Sequence, residues 1–331
     1  MYPDMRLRRT RSSEHMRKLV RETQIILDKL VMPVFVDETI DSPTPIKSMP
    51  DVFSYDLNSL KHYAQTLVNK GVHNVLLFGI PSKKDDEGTQ AYAEDAIVQK
   101  AIPILKNAGL LVITDLCMCE YTDHGHCGII RDGDVDNDTT LEIYAKIASS
   151  QARAGSDMIA PSGMMDGQIL SIRKALDRAG FKNTPIMAYS AKYASNLYGP
   201  FRDAAKSTPA YGNRRSYQMD SANSREAMRE IDLDIQEGAD IIMVKPSLFY
   251  LDIVKEASTM FNKPLAVYGV SGEYNMIKNA IMEGVFDQDI ILEYATSVFR
   301  AGADIFITYF AVQLCEILGK PLNENLKLTS R

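Results

Sequence analysis

The sequence EGADIIMVKP (residues 237–246) contains the end of one helical segment and the whole of the strand that follows it. A glycine closes the helix and an apolar run begins almost at once, which is typical of a turn from a helix into a buried strand. AGSDMIAPS (154–162) and AGADIFITYF (301–310) repeat the pattern. Strands that are apolar throughout are typical of a parallel sheet covered on both faces. We therefore expect an α/β protein.

Apolar runs of this kind occur eight times along the chain, at 31–36, 74–79, 110–116, 157–162, 185–190, 240–246, 264–270 and 304–310. Segments with helical spacing separate them, at 57–69, 91–107, 141–154, 168–179, 225–237, 248–261 and 274–283. Eight strand–helix units over about 290 residues predict a closed (β/α)8 TIM barrel. The alternative is an open doubly wound sheet, but no GxGxxG motif follows the first strand.

The same patterns predict the ends of some helices and the division of the chain. We expect Thr139 and Glu142 to form a capping box and Asp166 to cap the next helix. Residues 1–30 precede the first strand, and the apolar spacing of His15–Leu30 favours a helical arm on a neighbouring subunit over a frayed tail. The catalytic barrel is expected to span 31–331, with a lid at about 193–223.

Composition limits the classes of protein to consider. The 331 residues include 37 Lys+Arg and 43 Asp+Glu, a net charge of −6 that argues against a general nucleic-acid binder. We expect no membrane partner, because no apolar run reaches the length of a membrane helix and the basic N-terminus lacks the apolar core of a signal peptide. Four cysteines are too few for a disulfide scaffold, and we expect a cytoplasmic protein.

Three of the cysteines lie within eleven residues, at Cys117, Cys119 and Cys127. Three thiolates within reach of one ion predict a zinc site with a fourth position open to water or substrate. Two alternatives stay open. The cysteines are buried free thiols, or His124 and His126 complete a closed structural site.

Two lysines stand at the predicted ends of neighbouring strands, Lys192 after the fifth and Lys245 at the end of the sixth. A lysine among apolar residues loses hydration, so its pKa falls and its neutral amine becomes a nucleophile. Two ammonium groups on adjacent strands also repel each other. One hypothesis is that these lysines form Schiff bases with a carbonyl substrate. The alternative is that each lysine only pairs its charge with a carboxylate or a phosphate.

The long segment after Lys192 carries Arg202, Arg214 and Gln218 among Gly, Pro and Tyr residues. Arginines on a lid over an amine pair indicate a substrate carboxylate, which a guanidinium binds in a bidentate fork. Solvated surface charge is the alternative for any one of them.

Eight stretches together resemble the porphobilinogen synthase (5-aminolevulinate dehydratase) family. Four short ones are APSGMMDG (160–167), RRSYQMD (214–220), REAMRE (225–230) and ITYFA (307–311), and the other four are longer. They are TDLCMCEYTDHGHCG (114–128), MAYSAKYASNLYGPFRDAA (187–205), MVKPSLFYLDIV (243–254) and YGVSGEYNMI (268–277). The resemblance implies a hydro-lyase that condenses two 5-aminolevulinate molecules to porphobilinogen, an early step of tetrapyrrole synthesis. It also implies a zinc-dependent barrel with an N-terminal arm, assembled as a homo-octamer.

The resemblance also implies roles for individual residues. Lys245 and Lys192 match the lysines that form Schiff bases with the propionate-side and the acetate-side substrate. The matching zinc ligands are Cys117, Cys119 and Cys127, and Glu230 matches the glutamate of an allosteric magnesium site. The remaining matches contact substrate: Arg202, Arg214 and Gln218 at the acetate-side carboxylate, Ser271 and Tyr309 at the propionate-side carboxylate, and Asp115, Ser162 and Tyr268 in the pocket.

Two other functions remain open on the sequence. One is a class I aldolase that uses Lys245 alone, and the other is a zinc-binding assembly protein without turnover. Lys192→Ala separates the first from a two-lysine enzyme. A two-lysine synthase is expected to lose activity on the order of 10²-fold or more, because one substrate loses its covalent anchor. Steady-state product formation measures this, and a variant that keeps substantial turnover would favour the aldolase.

Overall fold

The computed structural model describes residues 3–319. The end of the predicted barrel range, 31–331, therefore lies outside the described residues. No helix in the described part of the chain is both long and apolar enough to cross a membrane.

Within residues 3–319, eight parallel strands form the sheet that the sequence predicts. They are β1 (Leu30–Asp37), β2 (Asn74–Ile80), β3 (Leu111–Leu116), β4 (Met158–Pro161), β5 (Met187–Lys192), β6 (Ile241–Lys245), β7 (Leu265–Gly269) and β8 (Ile305–Thr308). Each strand pairs with the next along the chain, and β8 pairs back to β1. A single parallel bridge between Ile159 and Ile186 joins β4 to β5. The predicted TIM barrel is thereby confirmed.

The helices alternate with these strands. They are α1 (Glu14–Leu19), α2 (Leu57–Asn69), α3 (Ile97–Asn107), α4 (Asn137–Arg153), α5 (Gln168–Arg178), α6 (Gly199–Ala204), α7 (Arg225–Glu237), α8 (Leu251–Met260), α9 (Ser271–Met282), α10 (Ile290–Ala301) and α11 (Ala311–Leu318). The barrel helices bury one face against the strands. In α2, for example, Leu60, Ala64 and Leu67 are buried, at the three- and four-residue spacing of one helical stripe.

The described chain also contains four short strands besides the eight of the barrel. Residues 53–55 pair with the end of β1 and with residues 44–45, and residues 130–131 pair with 134–135. Every residue of β5 and β7 is buried. The polar groups at the carboxyl ends of these strands are therefore held away from bulk water.

The two predicted helix caps are wrong. Helix α4 begins two residues before Thr139, and its cap is Asp136, whose carboxylate accepts the Thr139 N–H at 2.8 Å. Helix α5 begins after Gly167, whose φ of 79° suits a glycine. Asp166 instead exchanges hydrogen bonds through its backbone with the Asn137 side chain, at 2.8 and 3.1 Å. At α4 a neighbouring aspartate therefore takes the place of the predicted capping residue, and at α5 the capping position is a glycine with no side-chain cap.

The arm contains less helix than its apolar spacing predicts. The helix covers only Glu14–Leu19, and a 3-10 turn at Leu27–Lys29 leads into β1. Apolar arm residues are exposed, among them Met5, Leu7, Leu19, Val20 and Ile26. Ile25 and Leu30, at the end of the predicted stripe, do pack on the core of the described chain. The six-residue helix itself has no buried residue, and so short a helix gains little without packing.

Candidate active site

The ends of β5 and β6 place two amines side by side. Lys192 and Lys245 are the last residues of their strands and are partners in the parallel register. Each side chain is buried, with 5% of the residue surface exposed. Neighbouring parallel strands lie about 4.8 Å apart, so the two side chains share one space at the mouth of the barrel.

Aromatic rings surround the Lys245 amine. Its Nζ lies 4.4 Å from the ring centre of Tyr268, 5.0 Å from Tyr189, 5.1 Å from Tyr198 and 5.3 Å from Phe201. Burial, with the nearby charge of Lys192 acting in the same direction, lowers the pKa of Lys245 to about 7. A substantial fraction of this amine is therefore neutral near pH 7 and available as a nucleophile.

Asp115 lies next to the two lysines at the end of β3. Its Oδ2 accepts a hydrogen bond from Ser162 Oγ at 3.1 Å, and the Lys192 Nζ donates to the Ser162 carbonyl oxygen. Burial raises the pKa of Asp115 to about 7, and the charge of Glu120 acts in the same direction. Asp115 Oδ1 and the Tyr189 hydroxyl are both buried without a hydrogen-bond partner among residues 3–319.

The three clustered cysteines meet in space. Their sulfur atoms lie within 4.8 Å of one another, and all three residues are buried. Strand β3 ends at Leu116, so a turn rather than strand alternation brings Cys117 and Cys119 together, with Sγ atoms 3.4 Å apart. Hydrogen bonds from Cys117 and Cys119 hold the pKa of Cys127 well below its usual range.

This donor set fits a divalent metal ion. Three sulfurs at such short distances cannot all ionise by themselves, and hydrogen bonding to Cys117 and Cys127 accordingly raises the pKa of Cys119. A divalent cation would take the place of the protons that Cys117 and Cys119 keep. The buried trio could therefore bind a metal, and its soft sulfur atoms would select the ion.

The two histidines of the same loop, His124 and His126, make hydrogen bonds to groups other than the cysteines. His126 places its ring nitrogens 3.2 Å from the Tyr217 hydroxyl and 3.0 Å from the Tyr211 carbonyl. His124 Nδ1 accepts the His126 N–H at 3.1 Å, and its Nε2 lies 3.3 Å from the Asp86 carbonyl. Neither ring joins the group of potential metal ligands. The structure thus disfavours the alternative of a closed cysteine–histidine site.

The polar residues predicted on the lid are held by buried contacts. Arg214 is buried and donates through one terminal nitrogen to the carbonyls of Gly125 and Ser207, at 2.9 and 2.6 Å. Within the described chain, the Nε atoms of Arg202 and Arg214 and both amide atoms of Gln218 are buried without partners. Unpaired buried donors are costly, and a carboxylate accepts from several of them at once.

Contacts with the loops after β1 and β2 hold the lid closed. Lys206, on the lid, bonds Asp37 at 3.0 Å and Thr39 at 2.8 Å. Lys84 donates to the Lys206 carbonyl at 2.6 Å, and Ser48 donates to Asp203 at 2.7 Å. The lid aromatic Phe201 packs against Phe78 beneath it, with ring centres 5.1 Å apart. Lysine burial therefore depends on this closed arrangement.

The two residues expected at the second carboxylate lie at the start of α9 (Ser271) and just after β8 (Tyr309), and the expected pocket residue Tyr268 lies on β7. The hydroxyl groups of Tyr268 and Tyr309 are 3.3 Å apart, and both residues are buried. Ser271 Oγ accepts the Phe201 N–H at 2.9 Å and donates to the Leu197 carbonyl at 3.3 Å. In this closed form the serine hydroxyl also anchors the lid.

Glu230 is not part of this constellation. It lies on α7 in a cleft of about 390 Å³ whose lining includes Asp166, Glu226 and Gln218. Burial raises its pKa, and the charges of Asp166 and Glu226 add to that shift. Among residues 3–319 the cysteine trio alone forms a group of three potential ligands, and Glu230 belongs to no such group.

Sequence reasoning did not select some of the residues that line the amine pair. Tyr189 lies inside β5, three residues before Lys192, and its place near the carboxyl end of a barrel strand was the available signal. Tyr198 and Phe201 reach Lys245 only because the lid folds back over the barrel. Glu120 carries a buried carboxylate that accepts from Cys119 Sγ at 3.3 Å. No spacing rule identifies these last three.

The fold and its buried mouth define a (β/α)8-barrel protein of the enzyme type, with two adjacent lysine amines beside a cluster of three cysteines. The family model for delta-aminolevulinic acid dehydratase matches residues 4–317. The chain belongs to this family, and it is a hydro-lyase.

Individual members of the family are similar in sequence to this chain over nearly their whole length. The dehydratase of Archaeoglobus fulgidus is 50% identical over 319 residues, covering 96% of this chain and 99% of the relative. That of Bacillus subtilis is 51% identical over 309 residues, covering 92% and 95%. The Toxoplasma gondii enzyme, solved in complex with its reaction product porphobilinogen, superposes with a TM-score of 0.95 at 37% identity, covering 99% of this chain and 96% of that one.

A glycine next to the thiolate cluster yields a test of how the cluster is supported. The Tyr144 hydroxyl donates to the Cys127 carbonyl at 2.6 Å, and a Cβ added at Gly163 would lie 1.6 Å from that hydroxyl. Gly163→Ala is therefore expected to displace Tyr144 and destabilise the fold by about 1–3 kcal/mol. It should also weaken metal binding, measured by competition with a chromophoric chelator.

Gly199→Ala is the matched control, because a Cβ there meets no atom of the described chain within 4 Å. If Gly163→Ala matches this control in both thermal unfolding and metal affinity, Tyr144 does not support Cys127 in the way described.

Proposed function

We propose that the chain condenses two molecules of 5-aminolevulinate to porphobilinogen, with loss of two waters, through Schiff bases on Lys245 and Lys192. The observation that carries this proposal is the in-register pairing of the two lysines in one buried site. A single-lysine aldolase has no need of a second amine there. Family membership and the product-bound relative support the choice of substrate.

In the proposed reaction, the neutral Lys245 amine attacks the ketone carbon of the propionate-side molecule. Water leaves and the resulting iminium acidifies the adjacent carbon, which prepares it for bond formation. Lys192 holds the acetate-side molecule in the same way. Asp115 exchanges protons at Oδ1 with these groups, and its pKa of about 7 suits that role near neutrality. The tyrosine rings and the lid exclude bulk water.

The two carboxylates of the substrates are assigned to separate sets of residues. Arg202, Arg214 and Gln218 bind the acetate-side carboxylate, and their unpartnered buried atoms support this assignment. Ser271 and Tyr309 bind the propionate-side carboxylate, with Tyr268 and Ser162 lining the space between. Ser271 must then exchange one lid contact for a substrate contact as the site fills.

Zinc is the metal that we assign to Cys117, Cys119 and Cys127. Soft thiolate donors favour it, and three protein ligands leave one position open. When bound there, zinc supplies Lewis-acid polarisation of a substrate oxygen or a hydroxide at neutral pH. Arg214 compensates the negative charge of the cluster, because the Cys127 and Cys119 thiolates hold its pKa above the usual range although burial opposes its charge.

Other parts of the chain are assigned to assembly and regulation. We assign an allosteric magnesium ion to Glu230, held through water, since the partly buried acidic cleft around it favours a cation.

Residues 1–30 form an arm that covers its exposed apolar side chains on a second copy, within a homo-octamer. We assign the catalytic barrel to residues 31–331, of which 320–331 lie outside the described residues, and the lid to about 193–223. A cytoplasmic location suits the cysteine site, which requires reduced thiols.

The pH dependence of Lys245 reactivity tests the amine pair. Borohydride reduces the Schiff base between a lysine and 5-aminolevulinate to a stable secondary amine, and mass spectrometry identifies the modified lysine. Trapping on Lys245 is expected to rise through about pH 7, because its pKa is lowered to about 7 and only the neutral amine attacks. Lys192→Ala removes a repelling charge, so the midpoint should move to higher pH. An unchanged midpoint would contradict the assigned coupling.

Porphobilinogen production from 5-aminolevulinate, with and without a zinc chelator, tests the reaction and the metal together. We expect product formation to stop on chelation and to return with added zinc. Activity that is indifferent to chelator would keep the reaction and remove the catalytic role of the cysteine site. A folded, zinc-loaded protein that forms no product would contradict the proposed function.

A further inference from the structure

A buried carboxylate outside the amine pair connects the ends of β6 and β7. Glu273 lies in the first turn of α9 and has no exposed surface. No hydrogen bond or ion pair of the described chain joins Glu273 to Lys192 or Lys245, and the proposed chemistry does not use it. Its burial nonetheless carries a high desolvation cost, since burial raises its pKa to about 7. A group retained at that cost calls for a physical account.

The carboxylate accepts hydrogen bonds from two separate chain segments. Oε1 accepts from the Ser247 N–H at 3.1 Å, from the Ser247 hydroxyl at 2.9 Å and from the Leu248 N–H. Oε2 accepts from the Val270 N–H at 2.6 Å. The first segment follows Lys245 directly, and the second ends at Ser271. One side chain therefore fixes both segments to each other.

Helix capping explains only part of this arrangement. A glutamate at the third helical position often accepts the N–H of the capping residue, here Val270. The other three donors come from a different strand-end segment and contribute nothing to the start of α9. Ser247, which is fully buried, also lies 2.8 Å from the Tyr294 hydroxyl on α10. The network thus joins the segment after β6 to the start of α9 and to α10.

We propose that Glu273 is a positioning residue that sets the distance between the Lys245 amine and the Ser271 hydroxyl, and so selects substrates by the length between ketone and carboxylate. This inference rests on the proposed function, in which Lys245 captures the ketone and Ser271 binds the carboxylate of the same molecule. In 5-aminolevulinate two methylene groups separate those groups. A keto acid with one more methylene needs a longer span between amine and hydroxyl.

Glu273→Gln is the direct test, because the amide keeps the size of the side chain but presents N–H groups where backbone N–H groups already point. At least one donor loses its acceptor, and the two segments are then free to shift. The probes are 4-oxopentanoate, which is the substrate without its amino group, and 5-oxohexanoate, which is one methylene longer. Borohydride trapping on Lys245, resolved by mass spectrometry, reports the affinity for each.

We expect the wild-type protein to bind 4-oxopentanoate more tightly than 5-oxohexanoate. In Glu273→Gln, the ratio of the affinity for 4-oxopentanoate to the affinity for 5-oxohexanoate is expected to fall by about tenfold. This is the effect of losing one hydrogen bond to a buried charged group. Ser247→Ala removes a single donor and should lower the ratio by a smaller factor. Glu293→Gln, an exposed glutamate in the first turn of α10, is the matched control and should leave the ratio unchanged.

The outcomes separate positioning from general stability. A purely structural role would lower trapping of both keto acids equally and leave their ratio at the wild-type value, which would overturn the inference. If Glu273→Gln does not unfold cooperatively, the ratio in Ser247→Ala decides in its place. If the wild-type protein traps neither acid on Lys245, the proposed function itself fails, and the inference fails with it.

Discussion

The burial of two amines on adjacent strands is the constraint on which the rest of the site depends. Parallel pairing of β5 with β6 makes Lys192 and Lys245 register partners, and both side chains are shielded from water. Such a pair repels itself and loses hydration, which lowers the pKa of Lys245 to about 7. The surrounding tyrosine rings offset part of that cost through their electron-rich faces. Reactivity is thus a consequence of where two strands end.

The lid and the thiolate cluster both follow from that constraint. Shielding the amines requires a cover, and the lid is held by Lys206 on Asp37 and by Ser48 on Asp203. Closing the lid also buries unpartnered donors of Arg202, Arg214 and Gln218, at least within the described chain. Arg214 then lies near enough to the cysteines to compensate their charge. The site is therefore one electrostatic unit, in which positive lid groups face carboxylates and thiolates.

The sequence predictions succeeded where the signal was local and repeated. Helices α2 and α7 begin and end as their apolar spacing predicts, because each buries a stripe against the barrel. The predicted cap at Thr139 was wrong because Asp136 accepts the Thr139 N–H, and the one at Asp166 was wrong because the Asp166 backbone bonds the Asn137 side chain and α5 begins after Gly167. The arm helix is shorter than predicted because periodicity reports an apolar face but not the surface that covers it. In each case the outcome depends on contact partners that residue spacing does not identify.

The sequence by itself determined the barrel, the strand-end positions of both lysines and the close spacing of the three cysteines, because these depend on periodicity and on neighbours along the chain. Tertiary structure decided which groups meet across the barrel. Only folding places Tyr198 and Phe201 over Lys245, directs His124 and His126 away from the cysteine trio, and joins the segments after Lys245 and before Ser271 through Glu273. The physical reason is that such contacts depend on distance in space, and loop closure brings together residues that no sequence period connects.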